Sequence, residues 1–239
     1  MSYTFVLVHG AWVGGWVWTP VARELVARGH RVVAPTMPGM SPGDDPSRVA
    51  LSDATDFLVA GIERLDADDV VLVAHDWGGY PVTSAAHRTA GRTAGLVYWS
   101  AFVPVAGESL LDTIPADDRQ ALTAAAAGGG ILVPFERWRT KFVQTAPEPV
   151  RELTYRLLSP MPTGYFAHSL SAAEAKTPDQ PVSYLVGTED RALDPGEHWW
   201  ATKYAARLGV PARTFDACHA AYFTDPALVA ENLILAAGG

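Results

Sequence analysis

The stretch that most constrains this chain is Val70-Val-Leu-Val-Ala74, which runs without a break into His75-Asp76-Trp77-Gly78-Gly79. A continuously apolar, β-branched run of this kind suits a strand buried on both faces. Such a strand belongs in a parallel sheet covered by helices on both sides. The small residues after it put Asp76 on a tight strand–turn–helix bend. Backbone near the left-handed region and close helix packing leave little room for side chains there.

The first half of the chain keeps the same rhythm. Tyr3 to Val8 reads as a strand ending at His9-Gly10. A loop rich in Gly and Trp spans 11–18. Thr19-Pro20 opens a helix that Gly29 stops. Arg31 to Ala34 is the next strand, and the proline-rich 35–46 is loop. Ser52 opens a second helix with Asp53 and Asp56 in its first turn, where the macrodipole favours them. Ala54, Phe57, Leu58, Gly61, Ile62 and Leu65 fall on one helical stripe. A helix over Gly79–Thr89 and a strand over Gly95–Ala101 follow.

From Pro104 to Pro178 the alternation stops. This segment reads as an inserted helical cap (104–178), with the run of alanines and glycines at 124–130 as its mobile point. Alternation resumes at Val182–Val186, then a helix over Pro195–Leu208, a strand over Val210–Phe215 and a last helix from Pro226. The expectation is an α/β fold: a mostly parallel sheet of about six strands, helices on both faces, a core from 1–103 and 179–239, and a small cap.

Composition narrows the function. The 239 residues, 49% hydrophobic and 18% charged, suffice for a sizeable core and exclude a disordered chain. A net charge of −8 argues against nucleic acid, whose phosphates need a basic face. No apolar run is long enough to span a bilayer. Tyr3 already begins a strand, so no secretory leader is expected. Cys218 is the only cysteine, which excludes an internal disulfide and points to the cytoplasm. The expected partner is a small-molecule substrate, with no membrane and a possible homodimer.

The bend at Ala74-His-Asp-Trp-Gly78 has the form of a nucleophile elbow, with aspartate at the nucleophile position and alanine for its first glycine. With the upstream His9-Gly10 loop and a late histidine, the chain resembles the α/β-hydrolase superfamily over nearly its whole length. Phe5-Val-Leu-Val-His-Gly-Ala-Trp12, Gly29-His-Arg-Val-Val-Ala-Pro35 and Thr188-Glu-Asp-Arg-Ala-Leu-Asp-Pro195 are similar to the compact branch of plant methyl esterases and hydroxynitrile lyases. His75-Asp-Trp-Gly-Gly79 instead resembles epoxide hydrolases and haloalkane dehalogenases. The resemblance implies Asp76 as nucleophile, His219 as base and Asp190 as the acid behind it. Asp194 and Asp216 are the rivals for that last role. It also implies an oxyanion hole from the backbone N–H groups of Ala11 and Trp77.

Chemistry should follow the nucleophile. An aspartate is ionised near neutrality without a base. Attack on an ester carbonyl would give an anhydride, whereas attack on an sp³ carbon gives an alkyl–enzyme ester that His219 can help water to open. The leading expectation is therefore epoxide hydrolysis of a small apolar or aromatic substrate. Tyr155 and Tyr165 in the cap, or Tyr98, would be the O–H donors an epoxide oxygen needs. Trp12 and Trp77 are candidate pocket walls, and Trp16, Trp18 and Trp99 lie in neighbouring segments. Three other readings stand beside it: dehalogenation, non-covalent acid–base chemistry of a lyase, cyclase or isomerase, and an esterase-like or ligand-binding protein. Where dehalogenases often carry an Asn after His-Gly, this chain has Ala11. No cofactor and no metal is called for. His75 and Cys218 read as packing residues.

Overall fold

Strand β3 (Val70–Asp76) is buried at all seven positions. In the computed structural model, which describes residues 2–176 and 179–238, it lies inside a six-stranded sheet. With β1 (Thr4–Val8), β2 (Arg31–Val33), β4 (Thr93–Ala101), β5 (Val182–Gly187) and β6 (Ala212–Phe215), the order is β2-β1-β3-β4-β5-β6, and every pairing is parallel. Parallel neighbours need crossover helices, which cover both faces. Helix α1 (Thr19–Ala27) packs on the C-terminal helix, and α2 (Leu51–Glu63) packs on α3 (Gly79–Arg88).

The register brings the reactive ends together. Val8 pairs with Ala74, and Ala74 with Tyr98, so the loops leaving β1, β3 and β4 rise side by side. This is the carboxyl edge, where open α/β sheets build their sites.

Between β4 and β5 the chain forms short elements: α4 (Ala116–Ala124), α5 (Glu148–Arg156) and an antiparallel ribbon of Ala126–Ala127, Gly130–Ile131 and Met161–Pro162. The glycine run is the turn of that ribbon. A Cβ on Gly129, at φ +79°, would fall 2.3 Å from the Ser47 Cα. The run expected to be the mobile point is thus packed on the 46–48 turn. Pro178, the expected end of the inserted segment, lies outside the described residues.

Two expected elements differ. The helix over Pro195–Leu208 begins only at Trp200, because Gly196 takes φ +139° and holds the chain out of helix. It then runs as a π-helical turn over Trp200–Ala205 before an ordinary turn at Ala206–Leu208. The last strand starts at Ala212 rather than Val210, since Pro211 has no N–H to give the ladder. Among the described residues, no helix is long and apolar enough to cross a membrane.

Candidate active site

Asp76 ends β3 at φ +52°, a left-handed conformation that a non-glycine residue adopts only when its surroundings demand it. The demand comes from both sides. The Phe102 N–H bonds to the Asp76 carbonyl at 3.0 Å. A Cβ on Gly79 would sit 1.8 Å from the Phe102 carbonyl oxygen, so only glycine lets α3 start this close to β4. The side chain of Asp76 is buried at the bend.

The Ala11 N–H donates to Asp76 Oδ2 at 2.8 Å, and the Trp77 N–H also bonds to the carboxylate. Burial pushes the Asp76 carboxyl above its ordinary value, against the pull of His219 and of these two N–H groups. His9 supports the loop carrying Ala11. Its Nδ1–H donates to the Gly10 carbonyl and its Nε2 accepts the Met37 N–H at 3.0 Å, so the ring is neutral. Burial drives its pKa down to about 4.

His219 lies on the loop between β6 and the last helix, and Asp190 on the loop after β5. His219 Nδ1 donates to Asp190 Oδ2 at 2.8 Å, and both side chains are fully enclosed. Burial disfavours the imidazolium, yet Asp190 and then Asp76 raise the His219 pKa above the usual histidine value. Burial likewise opposes ionisation of Asp190, but His219 and its hydrogen bonds hold that carboxyl below the carboxylate range. The far nitrogen, His219 Nε2, has no hydrogen-bond partner among the described residues.

The rival acids stand elsewhere. Asp194 pairs with Lys141 at the surface, and Asp216 accepts from Thr188 Oγ1.

A cavity of about 40 Å³ opens onto Asp76. Its wall is apolar and includes Ala11, Trp12, Phe102, Phe142, Phe166 and Trp200. The ion pair Asp118–Arg137 stands on the same wall. A space that size holds one or two waters, so substrate entry requires the segment above it to give way.

Of the residues expected to touch substrate, Trp12 lines this cavity, and Tyr165, Tyr155, Tyr98 and Trp77 do not. Tyr165 gives its hydroxyl to the Pro38 carbonyl at 2.7 Å and stacks on Trp77 at 4.3 Å. Tyr155 donates to the Val133 carbonyl at 3.1 Å, and Tyr98 pairs with Thr83 Oγ1 in the core. Trp77 is fully buried beneath Tyr165. Each tyrosine found a backbone or hydroxyl partner, as buried phenols do, and none presents an acid to the cavity. Cys218 is buried near Thr224 Oγ1.

Sequence reasoning missed four residues. His75 donates its Nε2–H to the His219 carbonyl at 3.0 Å and lies ring to ring with it at 4.5 Å. Ser100 is buried near the end of β4 at φ +40°, one strand over from the bend that carries Asp76. Phe142 and Trp200 flank His219. Only His75, beside the nucleophile position, had a sequence signal.

The sequence profile of the alpha/beta hydrolase family matches residues 5–232. Methylesterase 18 of Arabidopsis thaliana is 26% identical, over 99% of this chain and 97% of its own length. The carbendazim hydrolyzing esterase of Nocardioides sp. (strain SG-4G) is 42% identical over 113 residues, which cover 46% of this chain and only 47% of that relative. Among solved structures, an extracellular alpha/beta-hydrolase from a Paenibacillus species superposes with a TM-score of 0.93. It is 28% identical, with 98% of both chains covered, and is described as sharing structural and functional homology with tobacco salicylic acid binding protein 2.

Proposed function

The chain belongs to the alpha/beta hydrolase family, and on that premise we propose that it hydrolyses esters of small, largely apolar acids, with Asp76, His219 and Asp190 as its reactive set. The observation that carries this is one buried constellation. A carboxylate rests on two backbone N–H groups beside a histidine whose near nitrogen is held by an acid and whose far nitrogen has no partner among the described residues. Esterases among the relatives supply the substrate class.

Asp76 works differently from a serine. Attack on the acyl carbon would make an anhydride and would need the N–H groups that Asp76 itself occupies. Attack on the alkyl carbon has neither difficulty. An Asp76 oxygen forms a bond to that carbon, the alkyl–oxygen bond breaks, and the carboxylate leaves with the electron pair and needs no proton. His219 then takes a proton from water, and hydroxide adds to the Asp76 carbonyl carbon. The resulting oxyanion forms on the N–H groups of Ala11 and Trp77. Collapse expels the alkoxide, which recovers the proton from His219, and Asp76 is left as the acid, which releases its proton to solvent to restore the carboxylate. The sum is ester plus water giving acid plus alcohol.

This reading displaces epoxide hydrolysis. An epoxide leaves as an alkoxide on the substrate and needs an acid to protonate it, and the cap tyrosines are bound to carbonyls away from the cavity. Halide displacement is the second reading. The indole N–H groups of Trp12 and Trp200, on residues of the cavity wall and without partners among the described residues, favour it, because a halide asks for donors and no proton.

Turnover in heavy-oxygen water tests both. Aryl-acid methyl esters are expected to give an acid free of label, with label in the Asp76 carboxylate and then in the alcohol. Label in the acid would overturn the aspartyl route. Turnover of haloalkanes without turnover of esters would put the second reading first.

A further inference from the structure

Two stretches of this chain widen into π-helical turns, Trp138–Phe142 and Trp200–Ala205. In the first, the Val143 N–H reaches back five residues to the Trp138 carbonyl at 3.2 Å. Such widened turns carry one residue more than an α-turn and re-aim the side chains at their ends, and they occur disproportionately at functional sites. Here the two turns come from different parts of the chain, yet each presents an aromatic ring to the same imidazole. Phe142 closes the first turn and meets His219 edge-on, 5.2 Å between centroids at 85°. Trp200 opens the second and stacks on His219 at 5.6 Å and 20°. His75 contacts a further part of the ring, at 4.5 Å.

The backbone reinforces the contact. The Ala220 N–H, next to His219, donates to the Phe142 carbonyl at 3.0 Å. Gln144, two residues on, bonds to the Glu189 carbonyl beside Asp190. The first π-turn is therefore tied to both loops that carry the His–Asp pair. With Nδ1 held by Asp190 and rings against it, the imidazole is fixed in place, and Nε2 has no hydrogen-bond partner among the described residues.

We infer that Phe142 and Trp200 are positioning residues for the second half-reaction, two rings delivered by two π-helical turns to hold the His219 imidazole where it can activate water against the Asp76 ester. The inference rests on the proposed role of His219 as that base. Both rings also line the cavity, so the wall that meets substrate is the wall that sets the base.

The charges near the ring are few among the described residues. Asp190 and Asp76 act on it directly. His75 is held neutral by burial, and burial keeps the Cys218 thiol protonated. On the first turn, Lys141 pairs outward with Asp194, and Arg139 with Glu136 and Glu148. On the second, Lys203 donates to the Thr113 carbonyl, and Arg207 beyond it pairs with Glu108. What the two rings add is therefore a π face and a wall.

The test is single-turnover kinetics on Trp200→Leu and Phe142→Leu, with mass analysis of the Asp76 peptide and a nuclear magnetic resonance titration of His219. Leucine keeps water out but removes the ring. Both variants also alter the wall that meets substrate, so the reading is the ratio of the two steps: opening of the ester is expected to slow roughly 10- to 100-fold more than alkylation of Asp76, and the adduct accumulates. The His219 pKa is expected to fall by roughly half a unit in Trp200→Leu, as the cation loses its stacked face. Trp200→Phe, which keeps a face, should restore most of both effects.

An equal slowing of the two steps with an unchanged titration would reduce the rings to packing and overturn the inference. If no adduct forms even when His219 is replaced, the covalent reading has failed, and the titration alone then decides on the rings. Should Trp200→Leu not fold, Phe142→Leu carries the same comparison of the two steps.

Discussion

The Ala11 N–H lies 2.8 Å from Asp76 Oδ2, so the donors that would receive a reacting carbonyl oxygen already hold the carboxylate. A serine at this position would leave them empty. Asp76→Ser is therefore expected to move any remaining ester turnover to the acyl carbon, with heavy oxygen from water appearing in the acid. Asp76→Asn keeps an oxygen for the donors and removes the attacking charge. It should fold with an unchanged melting temperature and lose about 10³-fold or more in kcat. Substantial turnover by the asparagine variant would remove Asp76 from the chemistry.

His219 must be neutral to take a proton from water. Asp190 and Asp76 hold its pKa above the ordinary 6.5 despite burial. Where opening of the ester limits turnover, Asp76 is esterified and has lost its charge, so the acid limb of kcat should lie below the His219 pKa of the free enzyme, with Asp190 alone holding it up and activity falling as pH drops through it. Asp190→Asn removes the larger of the two raising charges, so the limb should move to lower pH while kcat falls. A limb that stays in place in that variant would mean that Asp190 does not act on the base.

The phenols of Tyr155 and Tyr165 end on the carbonyls of Val133 and Pro38. Their replacement by phenylalanine should cost stability, about 1 kcal/mol each from the lost hydrogen bond, and leave kcat within about threefold. A loss of two orders of magnitude in either variant would restore the tyrosine as a proton donor. Thermal melts and steady-state kinetics on one preparation separate the two results.

What was legible in the sequence was whatever a local pattern enforces. The Val70–Ala74 run could only be a doubly buried strand, and the small residues after it could only close a bend. That much put Asp76 on the bend, whereas His219 and the acid after β5 were implied only by the resemblance to the α/β-hydrolase order of nucleophile, acid and histidine. Asp190 was preferred to Asp194 only on the family's position for the acid, because the contact that distinguishes them is tertiary: Asp190 meets His219, and Asp194 meets Lys141 of the inserted segment. The tyrosines were misjudged for a similar reason. A phenol's partner is set by the tertiary path of a distant carbonyl, and 127 residues separate Tyr165 from Pro38. Phe142 and Trp200 were invisible because a π-turn leaves no periodicity to read.

The glycine run shows the same limit and gives a separable test. Gly128 and Gly129 both have positive φ, but only Gly129 is pressed against Ser47. Gly128→Ala should cost about 1 kcal/mol for its left-handed backbone. Gly129→Ala meets both that strain and the backbone of the 46–48 turn, and should cost clearly more, about 2–4 kcal/mol. Equal melting temperatures for the two variants would show that the turn is free to move.

The last prediction concerns acid stability. His9 has its pKa lowered from 6.5 to about 4 by burial, with its Nε2 committed to the Met37 N–H. The native state binds that proton more weakly than the unfolded chain does. Stability is therefore lost as pH falls from about 6.5 toward 4, by on the order of 3 kcal/mol, and the loss levels off below that. His75, lowered in the same direction by burial, adds to the slope. His219 works the other way. Its raised pKa contributes stability that is fully present below pH 6.5 and is lost as pH rises through the folded value. Urea unfolding at several pH values isolates the His9 share, because His9→Gln has no proton to gain. That variant should start less stable at pH 7.5 and lose less between pH 6.5 and 4.5 than the parent protein. An identical slope in the two proteins would mean that His9 is not the buried base holding the Ala11 loop in place.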